Sequence, residues 1–270
     1  MHNVEQILQW PVDNAVTAVV TASEVLDTCG DLNQTYQLAS VTKLLTAYAT
    51  LIAIEEGAIS LDTPAGPPGA TVHHLLAHTA GYEFDSLTTR FEPGARRLYS
   101  NTGFEVLAQT VTEHSGIEFA QYATEAVFEP LGMRSTTMPG SPAAGGISSA
   151  ADLIQFAQEL LAPTLIDPTT WTQATSVQFP GTDGILPGYG RQRPNDWGLG
   201  FEIRGTKNPH WTGAHASPAT FGHFGQSGTF LWVDPTADLA CVTLTDRDFG
   251  PWAAEIWAPY NQSILSEFSV

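Results

Sequence analysis

Apolar residues are most densely set between Val41 and Glu55, where Leu44, Leu45, Ala47, Tyr48, Ala49, Leu51, Ile52, Ala53 and Ile54 leave almost no polar face. A helix apolar on all sides is a buried one, and Gly57 suits its left-handed cap. Before it, valine- and threonine-rich runs predict strands at Ala15 to Val20, Glu24 to Cys29 and Thr35 to Leu38, after a short helix at Val4 to Trp10 capped by Asn3.

Beyond the core helix the period changes repeatedly. Thr63 to Gly69 is proline- and glycine-rich loop, Thr71 caps a short helix through His78, and Pro93-Gly94 marks a turn. Three further helices are expected: Asn101 to His114 closed by Gly116, Glu118 to Phe128 stopped by Pro130-Leu131-Gly132, and Ala150 to Leu161 capped by Ser148-Ser149. Pro163 to Asn195 has little periodicity and reads as long loops. Gly198 to Arg204 and Gly228 to Arg247 read as strands, the latter a hairpin turning at Asp234-Pro235-Thr236, and Trp252 to Phe268 as a last helix. Three segments follow: 1–60, strands and core helix; 61–162, mainly helical; 163–270, strands and a terminal helix.

With 270 residues and 43% hydrophobic content, the chain has room for a large core. A formal charge of -18 argues against nucleic acid and anionic membrane surfaces as partners, since both are repelled. No run reaches the length of a transmembrane span, and Met1-His2-Asn3-Val4-Glu5 lacks the features of a signal peptide, so a cytoplasmic location is expected. Cys29 and Cys241 fall on predicted strands and are expected to stay thiols.

Candidate chemistry begins at the mouth of the core helix. Ser40 and Lys43 lie three apart, so both rise from its first turn on one face. A serine hydroxyl needs an adjacent base, and a desolvated lysine, its pKa lowered, can be one. An N-cap serine and a snorkelling lysine fit the same residues, so Ser-x-x-Lys alone decides little. Tyr99-Ser100-Asn101 brings a phenol, a hydroxyl and an amide to a helix entrance, and Gly222, Gly225 and Gly228 surround His223 on a strand edge that another backbone can approach closely. His74 and His78, four apart, have no third ligand in view, and no metal or other cofactor is expected. The tryptophans 197, 211, 232, 252 and 257 read as core or cleft wall. A Gly-x-Ser-x-Gly elbow is missing.

Taken in order, Ser40-Val41-Thr42-Lys43, Tyr99-Ser100-Asn101 and His223-Phe224-Gly225 resemble the three motifs of the serine β-lactamase and penicillin-binding-protein superfamily. The similarity is to the branch with class C β-lactamases, D-alanyl-D-alanine peptidases and family VIII-type esterases. His74 to Gly81, Pro130-Leu131-Gly132-Met133 and Gly145-Gly146-Ile147-Ser148 resemble its connecting segments. The resemblance implies an α+β, β-lactamase/transpeptidase-like fold: an antiparallel sheet built from the N- and C-terminal segments, flanked by helices, with an inserted helical domain. It implies Ser40 as acylated nucleophile, Lys43 as its proton acceptor and Tyr99 as proton relay. It likewise implies that Asn101 binds substrate and holds Lys43, that the amides of Ser40 and Gln226 form an oxyanion hole, and that Gly225 allows close approach. His223 and Phe224 depart from the Lys-Thr or Lys-Ser of peptidases and β-lactamases, which weakens recognition of a substrate carboxylate there. No sequence pattern places Arg191, Arg193 or Lys207 at the site. The expectation is therefore an esterase for small uncharged esters, with β-lactamase or D-Ala-D-Ala peptidase activity as the alternative and a non-catalytic binding protein as a third reading; oligomeric state is left open.

Overall fold

A computed structural model describes residues 2–269. In chain order the elements are β1 (Ala15–Val20), β2 (Val25–Cys29), β3 (Thr35–Gln37), α1 (Thr42–Glu55), α2 (Val72–Leu76), β4 (Tyr82–Glu83), β5 (Ser86–Thr89), α3 (Asn101–Ser115), α4 (Phe119–Ala123), β6 (Ile147–Ser149), α5 (Ala150–Leu161), α6 (Pro168–Ala174), β7 (Gly184–Leu186), β8 (Gly190–Gln192), β9 (Glu202–Ile203), β10 (Phe221–Gly225), β11 (Thr229–Asp234), β12 (Leu239–Thr245) and α7 (Pro251–Phe268).

The principal sheet is antiparallel with order β2-β1-β12-β11-β10-β9, so its strands come from both ends of the chain. The run at β1 is unbroken because both faces are covered. Val16, Ala18 and Val20 join a core with α1 and α5, whereas Val19 meets Val4, Trp257 and Tyr260 on the other side. Between them Thr17 spends its hydroxyl on Thr243 and Tyr260, at 2.8 and 2.9 Å. Helix α1 is buried from Thr42 to Ala53, as its all-round apolarity demands.

Several expectations are corrected. Residues Asn3–Gln9 form a 3₁₀ helix whose cap is His2, because the Asn3 amide is turned to Ser263 O. The strand expected over Gly198 to Arg204 shrinks to Glu202–Ile203: Gly200 lies flat on α1, where a Cβ would stand 2.2 Å from that of Ala47. Within Pro163 to Asn195 sit a helix, α6, and a hairpin, β7–β8; the helix carries the Asp167 cap and Pro168 first-turn signal that the surrounding prolines obscured. Glu118 to Phe128 is α4 continued by a π-helical turn at Thr124–Phe128. The α2 helix ends at Leu76, and His78 takes a left-handed backbone, φ 56°.

Cys29 and Cys241 are free thiols. They sit on β2 and β12 with β1 between, opposite Thr17 and Val19, so two strand spacings of roughly 9–10 Å and a two-residue offset along the strand part them, beyond disulfide reach. No helix among the described residues is long and apolar enough to cross a membrane.

Candidate active site

Ser40 lies in a single 3₁₀ turn, Ala39–Val41, that feeds directly into α1. The turn is pinned on both sides. Leu38 donates its amide to Gly146 O at 2.9 Å, and its carbonyl accepts from the Thr229 hydroxyl at 2.9 Å. Ala39 is left-handed, φ 44°, an unfavourable conformation for a residue with a Cβ. Gly225 closes the arrangement: a Cβ there would stand 2.3 Å from Leu38 O, so glycine lets β10 lie against the Ser40 turn.

Lys43, on the first turn of α1, is fully buried. Its Nζ donates to Asn101 Oδ1 at 2.6 Å, to Ala143 O at 2.9 Å and to Ser40 Oγ at 3.4 Å. The first two partners are neutral oxygens. Burial therefore carries its pKa down to about 7, against a smaller upward pull from Asp85 and Glu105. The Ala143 contribution was not legible in sequence; it depends on residues 142–146 folding over α1, held by Thr46 to Pro142 O and by Gly146 N to Thr42 Oγ1.

Tyr99 covers the lysine, whose Nζ stands 4.7 Å from the ring centroid. The phenol oxygen is buried without a hydrogen-bond partner, and burial holds its pKa well above the ordinary range. Ser40 is near enough to pull that pKa the other way, though its hydroxyl is not placed as a partner. The Tyr99 backbone is held by His78 on both flanks. Leu98 N donates to His78 O at 2.8 Å, Ser100 N donates to His78 Nδ1 at 3.2 Å, and the two rings pack at 4.6 Å. Ser100 caps α3 by accepting from Gly103 N, so it has a structural task, and Asn101 completes its amide with Asp85 at 2.9 Å.

His223 lies on β10 with its ring 5.6 Å from that of Tyr99. Its Nδ1 hydrogen goes to Phe224 O at 2.6 Å, which leaves Nε2 as the basic nitrogen, buried and unpartnered. Burial first and Lys43 second push its pKa down to about 3, so the ring is neutral. Phe224 packs into the aromatic core with Trp211 and Trp257. The Gln226 side chain bonds Phe249 O, while the amides of Ser40 and Gln226 donate to no acceptor among the described residues.

Ser40, Tyr99, His223, Phe224 and Gln226 line one cavity of about 100 Å³, completed by Phe84, Leu186, Pro187, Trp197 and Glu202. Lys43 and Asn101 stand beside it through Ser40 and Tyr99, and Gly225 through the Ser40 turn. His74 and His78 part company: His74 closes the Thr71 cap of α2 and packs on Phe179, while His78 serves Tyr99. A buried network that sequence reading missed backs the cavity. Glu202 accepts from Lys207 at 2.5 Å, Trp211 at 2.6 Å and His210 at 2.9 Å. Burial alone pushes the Glu202 carboxyl up, but Lys207 and His210 together hold it well below the ordinary range.

Comparison with known proteins identifies the family. A family model described as Beta-lactamase matches residues 20–266. Penicillin-binding protein 4* of Bacillus subtilis is 29% identical over 137 residues, 38% of this chain and 30% of that protein. The chain spans less than half the length of the curated relatives it matches, 30% to 48%. A crystal structure of a beta-lactamase from Mycobacterium bovis superposes with a TM-score of 0.98 at 55% identity, over 99% of this chain and 100% of that one. A D-stereospecific amidohydrolase from Streptomyces shares the fold, with a TM-score of 0.74 at 20% identity over 98% and 96% of the two chains. The chain therefore belongs to the beta-lactamase family of serine hydrolases.

Proposed function

We propose that the protein hydrolyses small esters through an acyl-enzyme on Ser40, with no charge presented to the His223 edge of the pocket. The observation that carries this reading is Lys43: fully buried, bound by neutral oxygens and brought to a pKa of about 7 beside the Ser40 hydroxyl. A lysine that is half neutral near pH 7 can take the serine proton as Oγ attacks the ester carbonyl. The Ser40 and Gln226 amides receive the developing oxyanion.

Burial argues that Tyr99 works as a protonated phenol. It passes a proton to the leaving alkoxide, draws the replacement from Lys43, and in reverse assists the water that releases the acyl group. The small, mostly apolar cavity suits a short acyl chain. Neutral His223 and buried Phe224 offer no cation to the carboxylate of a β-lactam or a D-Ala-D-Ala peptide.

A fluorophosphonate probe should label the wild type and leave Ser40→Ala unlabelled. The matching comparison is kcat/KM for p-nitrophenyl acetate or butyrate against nitrocefin and a D-Ala-D-Ala peptide, each corrected for its uncatalysed rate. A clear win for either antibiotic-like or peptide substrate removes the esterase reading and promotes the alternative. With the neutral amine as base, kcat/KM rises with pH through about 7 and flattens above it; a rate flat from acid to alkaline pH contradicts the assignment of Lys43.

A further inference from the structure

Next to the Ser40 cavity, and sharing Phe84, Tyr99 and Pro187 with it, is a groove of about 370 Å³. Its charge runs against that of the molecule. The chain has 10 basic residues against 28 acidic ones, yet Arg90, Arg96, Arg97 and Arg191 line this groove with Asp183 as its one carboxylate. A fifth arginine, Arg193, bonds the same Asp183 from 3.2 Å, beside Arg191 at 3.0 Å, so two cations share one anion.

The remaining arginines differ in what answers them. Arg90 pairs with Glu83 at 3.1 Å. Arg97 is buried, its Nε and both terminal nitrogens bonded to the carbonyls of Asn195, Ala77 and Gln178 with Asp196 as its nearby counter-charge, so it braces the groove from behind. Arg96 is exposed, lies 5.1 Å from the Phe91 ring, and has no carboxylate partner among the described residues. The two walls of the groove are tied together: Arg97 N donates to Asp183 O, and Arg97 bridges Gly184 at the start of β7. The lining between the cations is apolar, with Phe84, Phe91 and Ile185 49%, 37% and 65% exposed.

An excess of arginine around an apolar floor, on a protein of charge -18, is matched by an anion on a hydrocarbon arm. We propose that this groove is a subsite for a carboxylate at the far end of the substrate, carried on a short apolar arm that leaves the Ser40 pocket past Phe84, Tyr99 and Pro187. The inference rests on Ser40 as the reacting group and adds to it: the substrate end at His223 is uncharged and the distal end is anionic. The long-range repulsion of anions by the whole chain is overcome locally, because charges beyond a Debye length of about 8 Å are largely screened at physiological salt while the arginines of the groove are not.

The test compares mono-p-nitrophenyl adipate with its neutral methyl ester on the wild type. We expect kcat/KM to favour the carboxylated ester by about 10-fold, the worth of a charge-assisted contact, and the preference to shrink between about 0.05 and 0.5 M salt. Arg96→Glu, at an exposed position, should reverse the preference towards an amine-terminated ester of the same length. Equilibrium binding to the Ser40→Ala protein, monomethyl adipate against dimethyl adipate, reads the same subsite without turnover and should show the same order. Equal binding of the two, or an Arg96→Glu protein with the wild-type preference, overturns the subsite while leaving Ser40 hydrolysis of neutral esters intact. A phosphonate-terminated ligand of the same length binding more tightly than the carboxylate overturns the choice of anion. Loss of ester hydrolysis in the wild type with retained hemiester binding removes the enzyme reading and keeps the groove.

Discussion

Lys43 and Lys207 are the two lysines of the chain, and both are buried, yet their surroundings make them chemically different. Lys43 is bonded to an amide oxygen, a backbone carbonyl and a hydroxyl. Lys207 is bonded to a carboxylate, Glu202, and to the carbonyls of Asp196 and Ile203. Burial lowers the pKa of each, but at Lys207 the Glu202 carboxylate is the main force pulling it back up. Burial with neutral partners leaves an amine able to give up its proton near neutral pH; burial with an anionic partner favours the charged form.

The largest effects separate the two sites by swapping each lysine for methionine, which keeps its volume. Lys43→Met should lower kcat on p-nitrophenyl butyrate by about four orders of magnitude or more while leaving the fold at least as stable. Since the folded-state pKa of about 7 lies below the unfolded value, wild-type stability rises with pH from about 7 towards 10.5. The gain of the methionine variant is therefore greatest at pH 7 and below, which denaturant midpoints across pH will read. Ser40→Ala should be as inactive and as well folded. Lys207→Met should do the opposite, costing about 3–5 kcal/mol of stability because the buried Glu202 carboxylate loses its lysine and keeps only His210 and Trp211. Turnover per folded molecule, counted by fluorophosphonate titration, should fall far less, and adding Glu202→Gln should restore part of the lost stability.

A smaller effect sharpens the contrast by giving Lys43 the partner that Lys207 has. In Asn101→Asp the oxygen that accepts from Lys43 becomes anionic, which raises the pKa of the amine by roughly 1–3 units. The pH–kcat/KM profile should move to higher pH by that amount, with activity at pH 7 reduced about 10-fold or more. An unmoved profile would show that Lys43 is not the titrating base.

The asymmetry between these lysines also marks how far the sequence could be read. Ser40, Lys43 and the apolar run behind them are local: spacing and periodicity carry the information, and α1 is buried where its composition demands. The strands 15–20 and 229–245 were legible for the same reason. What the sequence did not reveal arises from long-range closure or from irregular chain. Ala143 reaches Lys43 across 100 positions of chain, and the Glu202 contacts with Lys207 and His210, though only five and eight positions apart, lie in an irregular segment with no periodicity to announce them. The β4–β5 hairpin that supplies Phe84 and Asp85 has only two and four residues per strand, too short for a periodic signal. The arginine groove draws on positions 90–97 and 183–191, joined by tertiary contacts alone.

Because the chain has two lysines, ¹³C labelling of lysine at Cε gives a two-signal spectrum, assigned by the Lys207→Met protein. Titrating those signals tests the central claim directly. One, lost in Lys43→Met, should shift with a midpoint near pH 7, while the Lys207 signal should remain that of a charged amine through this range, held by Glu202. A Lys43 signal that stays in the ammonium position up to pH 9 in the folded protein would contradict the account.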